Sequence, residues 1–69
     1  MTGTKKRLNL NMIKNRREKL KLTQKQVAQF IGIPGDKYSK RESGDYKFQA
    51  EELPSLSIIL QTKMENFFE

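Results

Sequence analysis

The stretch Thr23–Gly44, TQKQVAQFIGIPGDKYSKRESG, constrains the fold more than any other part of the chain. It holds two short helical patterns joined by a glycine-centred break and closed by a second glycine. Thr23 and Gln26 have the spacing of a capping box, in which the hydroxyl takes the third amide of the helix and the glutamine reaches back. Val27, Phe30 and Ile31 form an apolar face, and Gly32 suits the left-handed residue that ends a helix. Ile33 then anchors the turn in the core. Pro34 suits a first helical turn, where its missing N–H leaves no gap. The second helix runs from Pro34 or Gly35 to Ser43, with Tyr38 and Arg41 on one face, and Gly44 ends it. Helices this short are not stable alone, so the pair must pack tightly against something larger.

The flanking segments supply that body. Leu10, Ile13, Arg17 and Leu20 recur at i, i+3, i+7 and i+10, one stripe of a helix of about ten residues, and Asn9 or Asn11 can cap it. After Gly44, Phe48 leads into Leu53, Leu56, Ile59 and Leu60 at helical spacing. Pro54 opposes a helix begun at Ala50, because its ring meets the carbonyl four residues back. This predicts a loose turn over Ala50–Leu53 and a regular helix over Pro54–Leu60. Met64, Phe67 and Phe68 form a last short helix. No segment alternates with period two, so the expected fold is all-α, a compact bundle of five short helices. Residues 1–8 read as a basic flexible arm and residues 9–69 as the folded domain.

Composition narrows the function. The chain has 69 residues, no cysteine and no histidine. That removes disulfides, thiolate metal sites and the commonest general base. No cofactor or metal is expected, and an enzyme is disfavoured in so small a domain. No apolar run approaches the roughly 20 residues a bilayer span needs, which favours the cytoplasm. The net charge is +6 and unevenly placed: residues 1–41 hold twelve basic and two acidic side chains, residues 42–69 two basic and six acidic. Such a one-sided positive field points to a polyanion, with nucleic acid first and an anionic membrane second, or else it is a solvated face that only confers solubility; no membrane partner is expected.

From Ile13 to Phe68 the sequence resembles the Cro/C1-type, Xre-like helix-turn-helix domain of phage and bacterial repressors, the lambda repressor-like fold. The matching pieces are IKNRREKLKLTQ, Gln24-x-x-Val27-Ala28, Gly32-Ile33, Tyr38-Ser39-x-x-Glu42-x-Gly44 and the ending NFF. The resemblance implies that the third helix enters the major groove of double-stranded DNA. Lys40 is the best candidate base reader, since lysine can donate to guanine. Gln24 is implied as a phosphate contact at the head of helix 2, beside Thr23. Lys37 and Ser43 are implied as phosphate contacts, and Lys47 as a backbone contact in the following loop. Arg17 and Glu42 match the family's ion pair, which fixes helix 3 against helix 1 and sets Arg17 close to the DNA backbone.

Gly35 and Asp36 depart from the family pattern. Gly35 has no side chain to read a base. Asp36 is open to a capping role, to a contact with cytosine, or to no role. The arm residues Lys5, Lys6 and Arg7 are candidates for a groove or the phosphates. Phe67 is expected inside the core, and Phe68, with Ile58 or Met64, in a homodimer patch. The expected function is an operator-binding transcriptional regulator, most simply a dimeric repressor, in a bacterial or phage-infected cell. Any regulation is expected from a partner protein, proteolysis or concentration. The rival expectation is a protein-interaction module, antitoxin-like or anti-repressor, which keeps the fold but binds a protein.

Overall fold

The computed structural model describes residues 7–68. Four α-helices and two 3-10 turns make up the fold: α1 (Leu10–Lys19), α2 (Gln24–Ile31), α3 (Gly35–Ser43), a 3-10 turn at Ala50–Glu52, α4 (Leu53–Ile59) and a 3-10 turn at Met64–Phe67.

Each boundary has a local cause. Asn9 caps α1 by accepting the Met12 amide at 3.0 Å. Thr23 caps α2 through the full capping box: the Gln26 amide donates to its hydroxyl at 3.0 Å, and the Thr23 amide donates to the Gln26 side chain at 2.8 Å. Gly32 and Gly44 close α2 and α3 at φ +86° and +94°, a region where a Cβ is strained. Pro34 is the residue before α3 rather than its first turn, and its carbonyl takes the Tyr38 amide at 3.0 Å. Lys21 stands at φ +61° in the α1–α2 turn.

Ile13, Val27, Ala28, Tyr38, Phe48, Leu53, Leu56, Leu60 and Phe67 form one core. Tyr38 and Phe48 meet edge to face, with ring centroids 5.8 Å apart. This arrangement of aromatic rings is electrostatically favoured.

Three expectations fail for physical reasons. Phe30 is not buried with Val27 and Ile31 but half exposed, at 51%. The core face of α2 centres on Val27 and Ala28, and at 100° per residue Phe30 lies about 160° from Ala28. The fifth helix is a single 3-10 turn, four residues being too few to nucleate an α-helix. Phe68 leaves it in extended backbone and pairs with Leu8 in an isolated antiparallel bridge. The Asn9 amide donates to the Phe67 carbonyl at 2.6 Å beside that bridge. Leu8, placed in the arm by the sequence, therefore packs against the core.

The chain around Pro54 behaves as its ring requires. The 3-10 turn at Ala50–Glu52 absorbs the disturbance, and α4 begins at Leu53. Arg16 of α1 reaches across to the end of α4. Its Nε donates to the Leu60 carbonyl at 2.8 Å and its Nη2 to the Gln61 carbonyl at 3.1 Å. A cation there satisfies carbonyls that have no partner within the helix and complements the negative end of its dipole.

Candidate nucleic-acid interface

The site is built on a buried charge. Glu42, late in α3, is 7% exposed, and Arg17, late in α1, is 8% exposed. The guanidinium meets the carboxylate with two parallel bonds, Nε to Oε2 at 2.8 Å and Nη2 to Oε1 at 2.9 Å. Its Nη1 donates to the Leu22 carbonyl at 2.8 Å. Two more donors complete the carboxylate: the Tyr38 hydroxyl at 2.8 Å and the Gln24 side-chain amide at 3.0 Å. Arg17, Gln24, Tyr38 and Glu42 thus lock α1, α2 and α3 to one another.

Burial works to raise the Glu42 carboxyl, but hydrogen bonds from Arg17, Gln24 and Tyr38 and the Arg17 charge outweigh it. The carboxyl is held below the ordinary glutamate value. The hydrogen bond to Glu42 raises Arg17, against its desolvation. Burial, then the Glu42 contact and charge, push Tyr38 far above an ordinary phenol. The network is therefore fixed in its ion-pair state around neutrality.

A second ion pair, between partly buried Arg41 and buried Glu52 and absent from the sequence expectations, secures the other side of α3. Arg41 donates from Nε to Glu52 Oε1 at 2.9 Å, and the same oxygen takes the Gln49 amide at 2.9 Å. A signal for it existed: Glu52, Leu56 and Leu60 lie four residues apart, on the buried stripe of the last helix. The same spacing argument placed Arg17 on its own apolar stripe.

The outer face of α3 is the reverse of this interior. Asp36, Lys37, Lys40 and Ser43 are exposed. Asp36 lies in the first turn and makes no capping bond; its carboxylate is placed where the helix dipole favours negative charge. Nothing stands within 4 Å of the place a Cβ would take on Gly35. The Lys40 ammonium lies over the Tyr46 ring, 5.4 Å from its centroid. The Ser43 hydroxyl donates to the Lys40 carbonyl at 3.0 Å. Lys37, Arg41, Tyr46, Lys47 and Gln49 line a cleft of about 380 Å³ between α3 and the following loop.

Other expected residues are more scattered. Thr23 is exposed at the head of α2, its hydroxyl oxygen engaged in the cap. Arg7 is exposed, and Lys5 and Lys6 lie outside the described residues. Ile58 is 66% exposed and Met64 39%. Phe67 is buried, whereas Phe68 is half-buried and lines a cleft with Leu8, Leu10, Tyr46 and Phe48.

Comparison with known proteins places this geometry. A helix-turn-helix family model matches residues 13–67. The chain belongs to the Cro/C1-type helix-turn-helix family. Within this helix-turn-helix domain α2 and α3 form the motif, joined by the Gly32–Pro34 turn. A similar solved structure is the P22 c2 repressor protein in complex with the synthetic operator 9T in the presence of Tl+. The two chains share 27% identity at a TM-score of 0.81, covering 91% of this chain and 96% of that one. No curated protein matches the helix-turn-helix sequence significantly. Among the described residues, no helix is long and apolar enough to cross a membrane.

Proposed function

We propose that this chain is a sequence-specific, double-stranded-DNA-binding transcriptional regulator: a repressor that occupies an operator as a dimer, with α3 in the major groove. The observation that carries the proposal is the two-sided chemistry of α3. Its inner side is fixed by the Arg17–Glu42–Tyr38–Gln24 network, and its outer side presents Lys37 and Lys40 to solvent. A rigid helix with free cations on its outer face suits a polyanion whose base edges lie at a fixed depth. The likeness to a repressor solved with its operator agrees with this assignment.

The roles follow position. Lys40 reads a guanine edge, while Lys37, Lys47 and Thr23 meet phosphates, and Ser43 does so by turning its hydroxyl away from the Lys40 carbonyl. Gln24 is held by Glu42 through its amide nitrogen, and it meets phosphate from that fixed place. Arg17 acts through the scaffold, with three of its nitrogens already engaged within the domain. Exposed Ile58 and Met64 contribute to the contact between two copies on DNA. A regulator of this kind works in the cytoplasm of the cell that carries its operator.

Selection of bound duplexes from a random pool, followed by a salt series on the selected site, tests the proposal. Enrichment of a two-fold symmetric site, bound two chains per duplex, with log K falling steeply against log salt, is the expected result. A chain that enriches nothing and binds random duplex only weakly at low salt is instead a protein-interaction module.

A further inference from the structure

Tyr46 was not among the expected site residues, and its position gives it a role of its own. It lies two residues beyond Gly44, in a tight turn that folds back on α3. The Asp45 and Tyr46 amides both donate to the Lys40 carbonyl, at 2.9 and 3.2 Å. The Ser43 hydroxyl joins them on the same oxygen. Gly44, at φ +94°, makes that reversal affordable for the backbone. The backbone of Tyr46 is thus tied to Lys40 itself, and the ring comes to rest under the Lys40 ammonium at 5.4 Å. An ammonium within about 6 Å of an aromatic centroid is attracted to the negative face of the ring.

Lys40 has a competing partner. Asp36 stands four residues before it on α3, the spacing at which opposite charges meet on a helix surface. Among the described residues, no ion pair joins the two. The ammonium lies over the aromatic ring, on the side of the loop, rather than one turn back on the carboxylate. A lysine captured by Asp36 has its charge compensated and a donor occupied. A lysine resting on a ring has no anion to compensate its charge and keeps at least two of its three N–H groups without a partner, available to a ligand.

We propose that Tyr46 is a specificity-determining positioning residue: it holds Lys40 away from Asp36 and aims its ammonium at the base it reads, an inference that rests on the DNA-binding proposal above. Tyr46 acts through Lys40 and not through a base contact of its own. The ring is the functional part, so phenylalanine serves in its place and leucine does not.

The test uses the full chain as Tyr46→Phe, Tyr46→Leu, Lys40→Ala and the double variant Tyr46→Leu with Asp36→Asn. Tyr46 is 54% exposed, so these variants retain the fold, which thermal melts verify. In the free protein, proton NMR of the Lys40 ε-methylene shows ring shielding in the parent and Tyr46→Phe, and none in Tyr46→Leu. On selected DNA, Tyr46→Leu weakens preference at the base pair that Lys40→Ala relaxes. The loss is about two- to fivefold, the range expected of an exposed cation–aromatic contact. Binding to random duplex is unchanged, and adding Asp36→Asn restores most of the preference. Three results overturn the proposal: an unshielded Lys40 in the parent, intact preference in Tyr46→Leu, or equal losses on selected and random duplex. A parent that selects no sequence overturns the DNA-binding proposal, and this one with it; a parent that selects a site while Tyr46→Leu keeps full preference overturns this one alone.

Discussion

Glu42 and Lys40 stand two residues apart on α3. Glu42 is 7% exposed and takes hydrogen bonds from Arg17, Tyr38 and Gln24; Lys40 is exposed and lies against the face of Tyr46. The comparison separates two uses of charge in one short helix. An ionised group out of water persists only when its whole hydrogen-bonding capacity is met, and meeting it from three helices fixes their mutual geometry. A charge left in water fixes nothing, and for that reason remains available to a ligand. The inner charges give α3 its place, and the outer charges give it something to do there.

Removing an inner charge is the most severe way to break this contrast. Glu42→Ala or Arg17→Ala leaves its partner buried and unpaired, and should cost about 3 kcal/mol or more. In a domain of this size that lowers the melting temperature by roughly 10 °C or more. Melts within a degree or two of the parent would mean that the pair is not a structural element at all.

Acid should act on the same group. The folded Glu42 carboxyl lies below its unfolded value, so its contribution to stability is present above the ordinary glutamate range and is lost as pH falls through the folded value. Chemical denaturation from pH 7 down to pH 2 should show stability declining from the ordinary carboxylate range downward. The slope should be shallower in Glu42→Gln, which has no proton to gain. Parallel profiles for the two proteins would assign the acid sensitivity elsewhere.

An outer charge should give the opposite signature. Lys40→Ala should leave the melt unchanged, cost about 1–3 kcal/mol on the selected operator, and relax preference at one base pair. Equal weakening on random duplex would make Lys40 a phosphate contact.

The smallest effect belongs to Gly35, at the front of α3, where nothing stands within 4 Å of an added Cβ. Gly35→Ala should stabilise by about 0.4–1 kcal/mol by reducing the freedom of the unfolded chain, as urea titration would show. A loss of stability would reveal a steric demand that the open space around Gly35 does not suggest.

Much of this was legible in the amino-acid order because its causes are local. Thr23 and Gln26 form a capping box at the spacing that makes one, and Gly32 and Gly44 stop helices where only a left-handed residue can. Arg17 stands out as a charge on an apolar stripe, and the family resemblance pairs it with Glu42. What escaped depends on how helices meet. Phe30 was placed inside because the α2 face was centred one position away from Ala28, and only packing decides that angle. The reach of Arg16 to Leu60 joins segments distant along the chain, which no periodicity announces, and the spacing that sets Glu52 on a buried stripe does not name Arg41 as its partner. Tyr46 meets Lys40 only once Gly44 has reversed the backbone. On the proposed interface, the lysines were legible as exposed cations, whereas the aim of Lys40 was not.

The bridge between Leu8 and Phe68, with the Asn9–Phe67 hydrogen bond beside it, carries a consequence for the order of assembly. The α2–α3 contacts close loops of a few residues and are entropically easy to reach early. Joining Leu8 to Phe68 requires almost the whole described chain to be gathered first, and few bonds reward it. That clasp should be the last part to form and the first to open, leaving the α2–α3 unit assembled, and hydrogen exchange at Asn9 should run ahead of exchange at Tyr38.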